Sequence, residues 1–541
     1  MRQRWWVIVL AAGVALLITA FAASPSGSAP ARGIKEGGVL RVNVSDTDVQ
    51  YLDPALDYEF IGWGIENATC AKLLNYPDKP GPAGATLIPE AATGMPRLSR
   101  DGKTYTIRIR PGFKFNTGEE VTAETFAHAF DRVLHPKMQS PGASFLHDLV
   151  GADRVLAGKA KRASGIQVRG NTLTIRLTSI APDFVPRLAM NFFCAVPRDF
   201  GIDPKGTLIP AAAGPFYVER WARNRQVVLK RNPNYAGRRP VHLDEIRISV
   251  DTNAQQSILQ VKKGQADYDM SPPPPAAPSE LGRRYGVNRS RFFVHPANAI
   301  DYVAFNTSRA PFNDVTMRKA VNFALNRPAL VRQLGAYAGE PTDQILPPTI
   351  RGYRNARIYP VNGPNIARAK ALMRGRTAKA TLYTSNDPAN TNRAEVIRAN
   401  LKAIGIEVEV KTRPFSAFVT AINNRSEPYD MVLFGWLADY VDPYDFINVL
   451  LHGKNITAKN NINTAQFNDP VFNRKMDRAA KLSGPGRYAT YGALDVEIMR
   501  KAAPWAPIDV PTIREFISSR VGCYVYVRAF AAMSLATACL K

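Results

Sequence analysis

Apolar residues in this chain alternate in short runs, recur at helical spacing, then alternate again, the texture of a mixed α/β protein. Val39-Leu40-Arg41-Val42-Asn43-Val44 predicts a first strand, and Leu52-Asp53-Pro54 follows, where the proline starts a turn or helix. Between Tyr105 and Phe115, Tyr105, Ile107 and Ile109 face one way and Thr104, Thr106, Arg108 and Arg110 the other, which predicts a half-buried strand. Thr122 then offers an N-cap, Glu124 suits the first turn, and Phe126, Phe130 and Val133 form the stripe of an amphipathic helix. Leu173, Ile175 and Leu177 alternate as another strand. Gly214-Pro215-Phe216-Tyr217-Val218 opens a strand that Val227-Val228-Leu229 pairs with as a hairpin, and Asp244 to Val250 adds one more.

After the stiff Pro272 to Pro275 segment, which suits a crossing between lobes, the α/β alternation sharpens. Val303-Ala304-Phe305 is a strand. Asp314 caps a helix with Met317, Val321, Ala324 and Leu325 on its apolar side, and Pro328 fits the first turn of the next helix. Thr381 to Thr384 is a strand, and Ile397, Leu401 and Ile404 lie on one helical face ending at Gly405. Ile406, Val408 and Val410 alternate. A helix around Phe418 leads to Met431-Val432-Leu433-Phe434, an apolar run of the kind buried on both faces. Strand, helix, strand, helix, strand predicts a parallel sheet with right-handed crossovers.

The 541 residues are too many for one core, so two or three domains are expected. Arg2, Arg4, the apolar run Trp5 to Ala23 and the small residues Ala20-Phe21-Ala22-Ala23 read as an export signal over 1–23, with an uncleaved anchor as the alternative. A flexible linker over 24–33 follows. Four cysteines in an exported chain suggest disulfides. They allow three connectivities, of which Cys70 with Cys194 and Cys523 with Cys539 is the pairing taken, against buried free thiols. The net charge of +25 is spread along the chain without a long basic run or a nucleic-acid-binding motif. No nucleic-acid partner is therefore expected; a surface that stays near anionic lipid or cell-wall polymer is. The six histidines have no metal-ligand spacing, and Gly102-Lys103-Thr104 is not a P-loop, because Arg97 stands where its first glycine belongs. No metal, cofactor or catalytic activity is expected; an exported hydrolase is the remote alternative.

Landmarks along the chain resemble the extracytoplasmic solute-binding protein family 5, the binding proteins of peptide and nickel ABC importers. They are Leu52-Asp53-Pro54, the stretch Thr104 to Arg132, GPFYVERW from Gly214, LKRNPNYAG from Leu229, the stretch from Val303 to Arg327, and YDMVLFGWLADYVDP from Tyr429. The resemblance runs from about Gly38 to Val521 and implies a bilobed, type II periplasmic-binding-protein-like α/β fold. Two mixed-sheet lobes are joined by a hinge, with an extra subdomain in the first lobe. The implied boundaries are 34–60 and 183–285 for the first lobe, 61–182 for the subdomain, 286–505 for the second lobe and 506–541 for a return to the first.

The implied function is capture of a small solute, a peptide above others, by an exported monomer near the outer face of the cytoplasmic membrane, and delivery to an ABC permease and its ATPase. A non-peptide solute (nickel chelate, opine, oligosaccharide) or a role as ligand sensor stays open. The Trp436-Leu437-Ala438-Asp439-Tyr440 spacing resembles the family's ligand-holding segment and places on Asp439 the carboxylate that meets a peptide's α-ammonium group; capping the next helix is its other reading. Gly435 and Leu437 suit hydrogen bonding to a ligand laid alongside as a strand. Trp436 and Tyr440 suit pocket walls or core. Tyr58 and Phe60 fall where the family's first lobe touches ligand, and Asn306 and Gly214 hold landmark positions, with Asn306 included among the ligand contacts. Two departures stand out: Leu433 replaces an arginine that meets ligand carboxylate, and Tyr58 replaces a contact glutamate.

Overall fold

The computed structural model describes residues 34–541 other than Asp46. The expected signal segment 1–23 and linker 24–33 lie outside the described residues. Two large sheets organise the chain. The first has five strands in the order Tyr268–Asp269, Val39–Ser45, Glu245–Thr252, Gln226–Arg231 and Phe216–Ala222. Val39–Ser45 runs parallel to both neighbours, while the hairpin expected from Gly214 onward adds the two antiparallel strands. Leu40, Val42 and Val44 alternate inward, are fully buried, and meet Leu229, Ile246 and Ile248.

The second sheet runs Phe292–Pro296, Trp505–Phe516, Ala299–Phe305, Met431–Leu437, Ala378–Ser385 and Ile406–Arg413, with Gly339–Pro341 against Trp505–Phe516. Only its last three strands are parallel. The expected parallel sheet is therefore half of a mixed one, because Ala299–Phe305 pairs antiparallel with both of its neighbours. Met431 and Leu433 face one core and Val432 the other, as a doubly buried strand requires.

A four-stranded antiparallel sheet (Arg97–Leu98, Thr104–Arg108, Thr172–Arg176, Ile166–Arg169) lies within the stretch expected as the extra subdomain. The helix Ala123–Leu134 covers it with Phe126 and Phe130, both fully buried. Truncating either ring to alanine costs about 3–5 kcal/mol. Thr122 caps this helix and its amide donates to Thr125 Oγ1 at 3.2 Å. The Leu52-Asp53-Pro54 landmark has a physical reason here. Asp53 accepts both terminal nitrogens of Arg132, at 2.8 and 2.6 Å, with both side chains buried.

Three implied boundaries move. The strand Trp505–Phe516 belongs to the second sheet throughout, so the return to the first begins after Phe516, where Ile517, Val521, Met533 and Leu540 join the first core. The helix Phe60–Thr69 buries Ile61, Ile65 and Ala68 against the first sheet, so the subdomain starts near Cys70 rather than at residue 61. It also continues past 182, since Phe184, Leu188, Phe192 and Phe193 pack into its core. In each case burial of side chains, not chain order, decides membership. Cys70 bonds to Cys194 and Cys523 to Cys539, the pairing taken above.

Candidate functional site

The strand Met431–Leu437 pairs along its whole length with Ala299–Phe305, but on its other side it meets Ala378–Ser385 only at Met431 and Val432. From Phe434 to Leu437 that edge has no strand partner, which leaves backbone donors and acceptors open to another chain. Gly435 leaves no room for a side chain, since a Cβ there would lie 2.4 Å from Asp301 Oδ1. Asp301 is itself fixed by Arg393 at 2.8 Å. Trp436 is half-buried and Leu437 is 40% exposed.

Where the strand ends, Ala438-Asp439-Tyr440 turns into the helix Pro443–Leu451. The cap of that helix is Asp442, which accepts from the Tyr444 amide at 2.9 Å and from Arg487 at 2.7 Å. Asp439 is thereby left free of the capping role. Its Oδ1 accepts from the Tyr58 hydroxyl at 2.5 Å, and its Oδ2 is buried without a partner. Asp445, in the first turn of the helix and fully buried, accepts from Trp436 Nε1 at 3.0 Å and from the Asp439 amide at 3.1 Å. Its Oδ1 is also without a partner.

Burial pushes the Asp439 carboxyl up to about 7, against the pull of the Tyr58 and Asp445 hydrogen bonds. It pushes Asp445 well above the carboxylate range, with Asp439 beside it adding to the effect. Among the described residues no Lys or Arg pairs with either group. Asp439 is the one of the two that ionises near neutral pH, and a desolvated carboxylate without a counter-charge favours a cation, since little water screens the attraction.

Asp439 lines a cavity of about 860 Å³ shared between the lobes, within the range typical of small-ligand sites. One wall is Tyr58, Gln139, Phe145 and Arg187; the other is Tyr440, Asn455 and Ile462. The Tyr58 ring packs 5.6 Å from Phe192 and 5.9 Å from Trp63. Phe145 meets Tyr440 edge-on at 6.2 Å. The Tyr440 hydroxyl donates to Asp183 at 3.2 Å, and Arg187 binds Asp183 and, at 3.0 Å, Asp148. Tyr440 is thus a strut between lobes as well as a wall.

Of the residues singled out by sequence, Asp439, Tyr440 and Tyr58 come together at the cavity. Trp436 does not line the cavity and is tied to Asp439 only through Asp445, while Gly435 and Leu437 lie on the open strand edge. Phe60 does not join them. It packs on the first core and lines a separate small recess beside Tyr268 and Thr512. Asn306 is also elsewhere, since it is buried, donates to the Tyr429 carbonyl at 3.1 Å and accepts from Ser308, a turn-holding role. Gly214 is structural, because a Cβ would sit 2.5 Å from the Thr69 backbone. Leu433 is buried in the second core, where no ligand carboxylate can reach it. Asp445, Phe145 and Arg187 were not found from sequence. An aspartate in a first helical turn reads as an ordinary complement to the helix dipole, and the other two reach the cavity only by tertiary folding.

Comparison with known proteins agrees with this architecture. Residues 86–458 match the model of the middle region of bacterial extracellular solute-binding proteins, family 5. The oligopeptide-binding protein OppA of Bacillus subtilis is 24% identical over 504 residues, covering 88% of this chain and 89% of the relative. Heme-binding protein A of Haemophilus influenzae is 26% identical over 472 residues, covering 82% of each. Among solved structures, clavulanic acid biosynthesis oligopeptide binding protein 2 superposes with a TM-score of 0.87 at 23% identity, covering 94% of this chain and 96% of that one. The chain belongs to the bacterial extracellular solute-binding proteins of family 5, and its fold is the bilobed one of that class. Among the described residues no helix is long and apolar enough to cross a membrane.

Proposed function

We propose that this protein captures a peptide or similar solute bearing a free primary amine between its two lobes, and delivers it to an ABC importer without making or breaking a bond. The observation that carries this reading is that Asp439, which lines the interlobe cavity, has a buried Oδ2 without a partner. The ligand's ammonium group takes that oxygen, with the Asp445 carboxyl behind it holding the Asp439 amide in place. The open edge from Phe434 to Leu437 takes the ligand backbone as an added strand, a mode that reads main chain and tolerates varied side chains. Names among the relatives support a peptide: the Bacillus subtilis protein is named for oligopeptides, and a structural neighbour from Helicobacter pylori holds the peptide STSA.

Calorimetry with a panel of short peptides tests the reading. Asp439→Asn is expected to weaken a free-amine peptide by at least about a hundredfold, since losing one partner of a buried ion pair costs about 3–5 kcal/mol. N-acetylating the peptide removes the same contact, so the two changes together cost little more than either alone. Fully additive losses, or unchanged affinity in the variant, would remove Asp439 from the ligand site.

A further inference from the structure

The charge of +25 is dispersed in sequence, but folding gathers part of it on one face away from the cavity. The helix Ala254–Lys263 ends on Lys262 and Lys263 beside the first turn of the helix Ala277–Tyr285, which itself ends on Arg283 and Arg284. Lys262 reaches Glu280 of the second helix at 2.7 Å. Arg291 donates to the Val261 carbonyl at 2.8 Å and lies 4.8 Å from the centre of the Tyr285 ring, which Arg284 also approaches at 5.5 Å. Arg289 is exposed in the loop between them. At the same helix end, Gly264 accepts from Arg41 at 2.5 Å.

Two carboxylates enter this face, and both are engaged. Glu280 holds Lys262, while Asp267 is shared by Arg41 at 3.3 Å and Arg520 at 3.2 Å. Among the described residues, Lys263, Arg283, Arg284, Arg289 and Arg291 have no carboxylate within ion-pair distance. Cations at helix C-termini complement the helix dipole, but one or two suffice for that. The excess leaves a concentrated positive field.

Two exposed apolar side chains flank it. Leu259 is 51% exposed and shares a helical face with Lys263. Tyr337 is exposed and packed on the second helix, where a Cβ on Gly282 would lie 2.6 Å from its hydroxyl. Basic side chains interleaved with exposed leucine and tyrosine are the composition of a surface that lies in a headgroup layer. A soluble polyanion would make no use of the leucine.

We propose that this face docks the protein onto the phosphate headgroups of an anionic bilayer, with Arg283, Arg284, Arg289 and Lys263 on the phosphates and Leu259 and Tyr337 entering the interface. The contact is independent of what the cavity binds. It holds the protein near the membrane in whose outer leaflet an importer opens.

Flotation of the full chain with vesicles tests this, comparing phosphatidylcholine alone with an equimolar mixture of phosphatidylcholine and phosphatidylglycerol. The neutral vesicles report any contribution of the apolar Trp5 to Ala23 run. Binding to the anionic vesicles is expected to exceed binding to neutral ones and to fall with added salt. The triple change R283Q/R284Q/R289Q is expected to weaken it by roughly a hundredfold, from about a fivefold effect per cation near the surface. All three side chains are exposed, so its melting temperature should match wild type. Leu259→Ser is expected to weaken vesicle binding severalfold while leaving binding to soluble polyphosphate unchanged. Equal binding to both vesicle types, a triple variant that floats like wild type, or polyphosphate binding as tight as vesicle binding would each overturn the proposal.

Discussion

The Tyr58 hydroxyl on one lobe donates to the Asp439 carboxylate on the other at 2.5 Å, across a sequence separation of 381 residues. This contact fixes one oxygen of Asp439 and leaves the second buried without a partner. Tyr58→Phe deletes it and strands a buried acceptor, at a cost of about 1–3 kcal/mol. The expected outcome is a lower unfolding midpoint in denaturant with an unchanged m-value; an unaltered midpoint would show that the contact contributes nothing.

Ligand affinity should depend on pH through Asp439. Its carboxyl titrates at about 7 because burial disfavours the anion. An ammonium ligand needs that anion, so affinity is expected to level off above about pH 8 and to fall by up to about tenfold per unit below pH 7. Binding near pH 6 should release a proton. Calorimetry in buffers of different ionisation enthalpy measures it, and zero release rules out the linkage.

Stability carries the opposite sign. A carboxyl raised in the folded state keeps a proton that the unfolded chain gives up near pH 4, so its contribution is complete below that and declines as pH rises toward 7. Asp495, whose buried carboxyl accepts the Ile345 and Leu346 amides at 3.0 and 3.2 Å, is likewise raised to about 7. Asp439→Asn should therefore raise the melting temperature of the unliganded protein by a few degrees near pH 8 and by much less near pH 4. A pH-independent difference between variant and wild type would contradict this.

Arg187 stands between two carboxylates, donating through Nε to Asp183 at 2.9 Å and through Nη1 to Asp148 at 3.0 Å, all three side chains buried. Arg187→Leu leaves both acids uncompensated. A loss of about 3–5 kcal/mol is expected, with Tyr440 losing the fixed Asp183 that it binds.

Gly214→Ala tests the backbone contact behind a landmark glycine. The new methyl would meet Thr69 backbone atoms at 2.5 and 2.6 Å, which cannot turn aside as a side chain end can. Soluble yield and melting temperature should both fall sharply, whereas Gly94→Ala, with open space around it, should behave as wild type.

The periodic patterns by themselves determined most of the strands and helices, because each pattern reports a local choice of which face meets water. They also placed Asp439 correctly at the end of a buried strand, and the Asp314 and Thr122 caps, which act within a few residues. Tertiary structure alone decided that the sheet around Met431–Leu437 is mixed, that Trp505–Phe516 stays in the second lobe, and that Asp442 rather than Asp439 caps the next helix. It also decided that Phe60 and Asn306 stand away from the cavity and that Asp445 stands behind it. The physical reason is distance along the chain. Which strand lies beside which, and which buried carboxyl lacks a partner, depends on residues hundreds of positions apart, and no local periodicity records them.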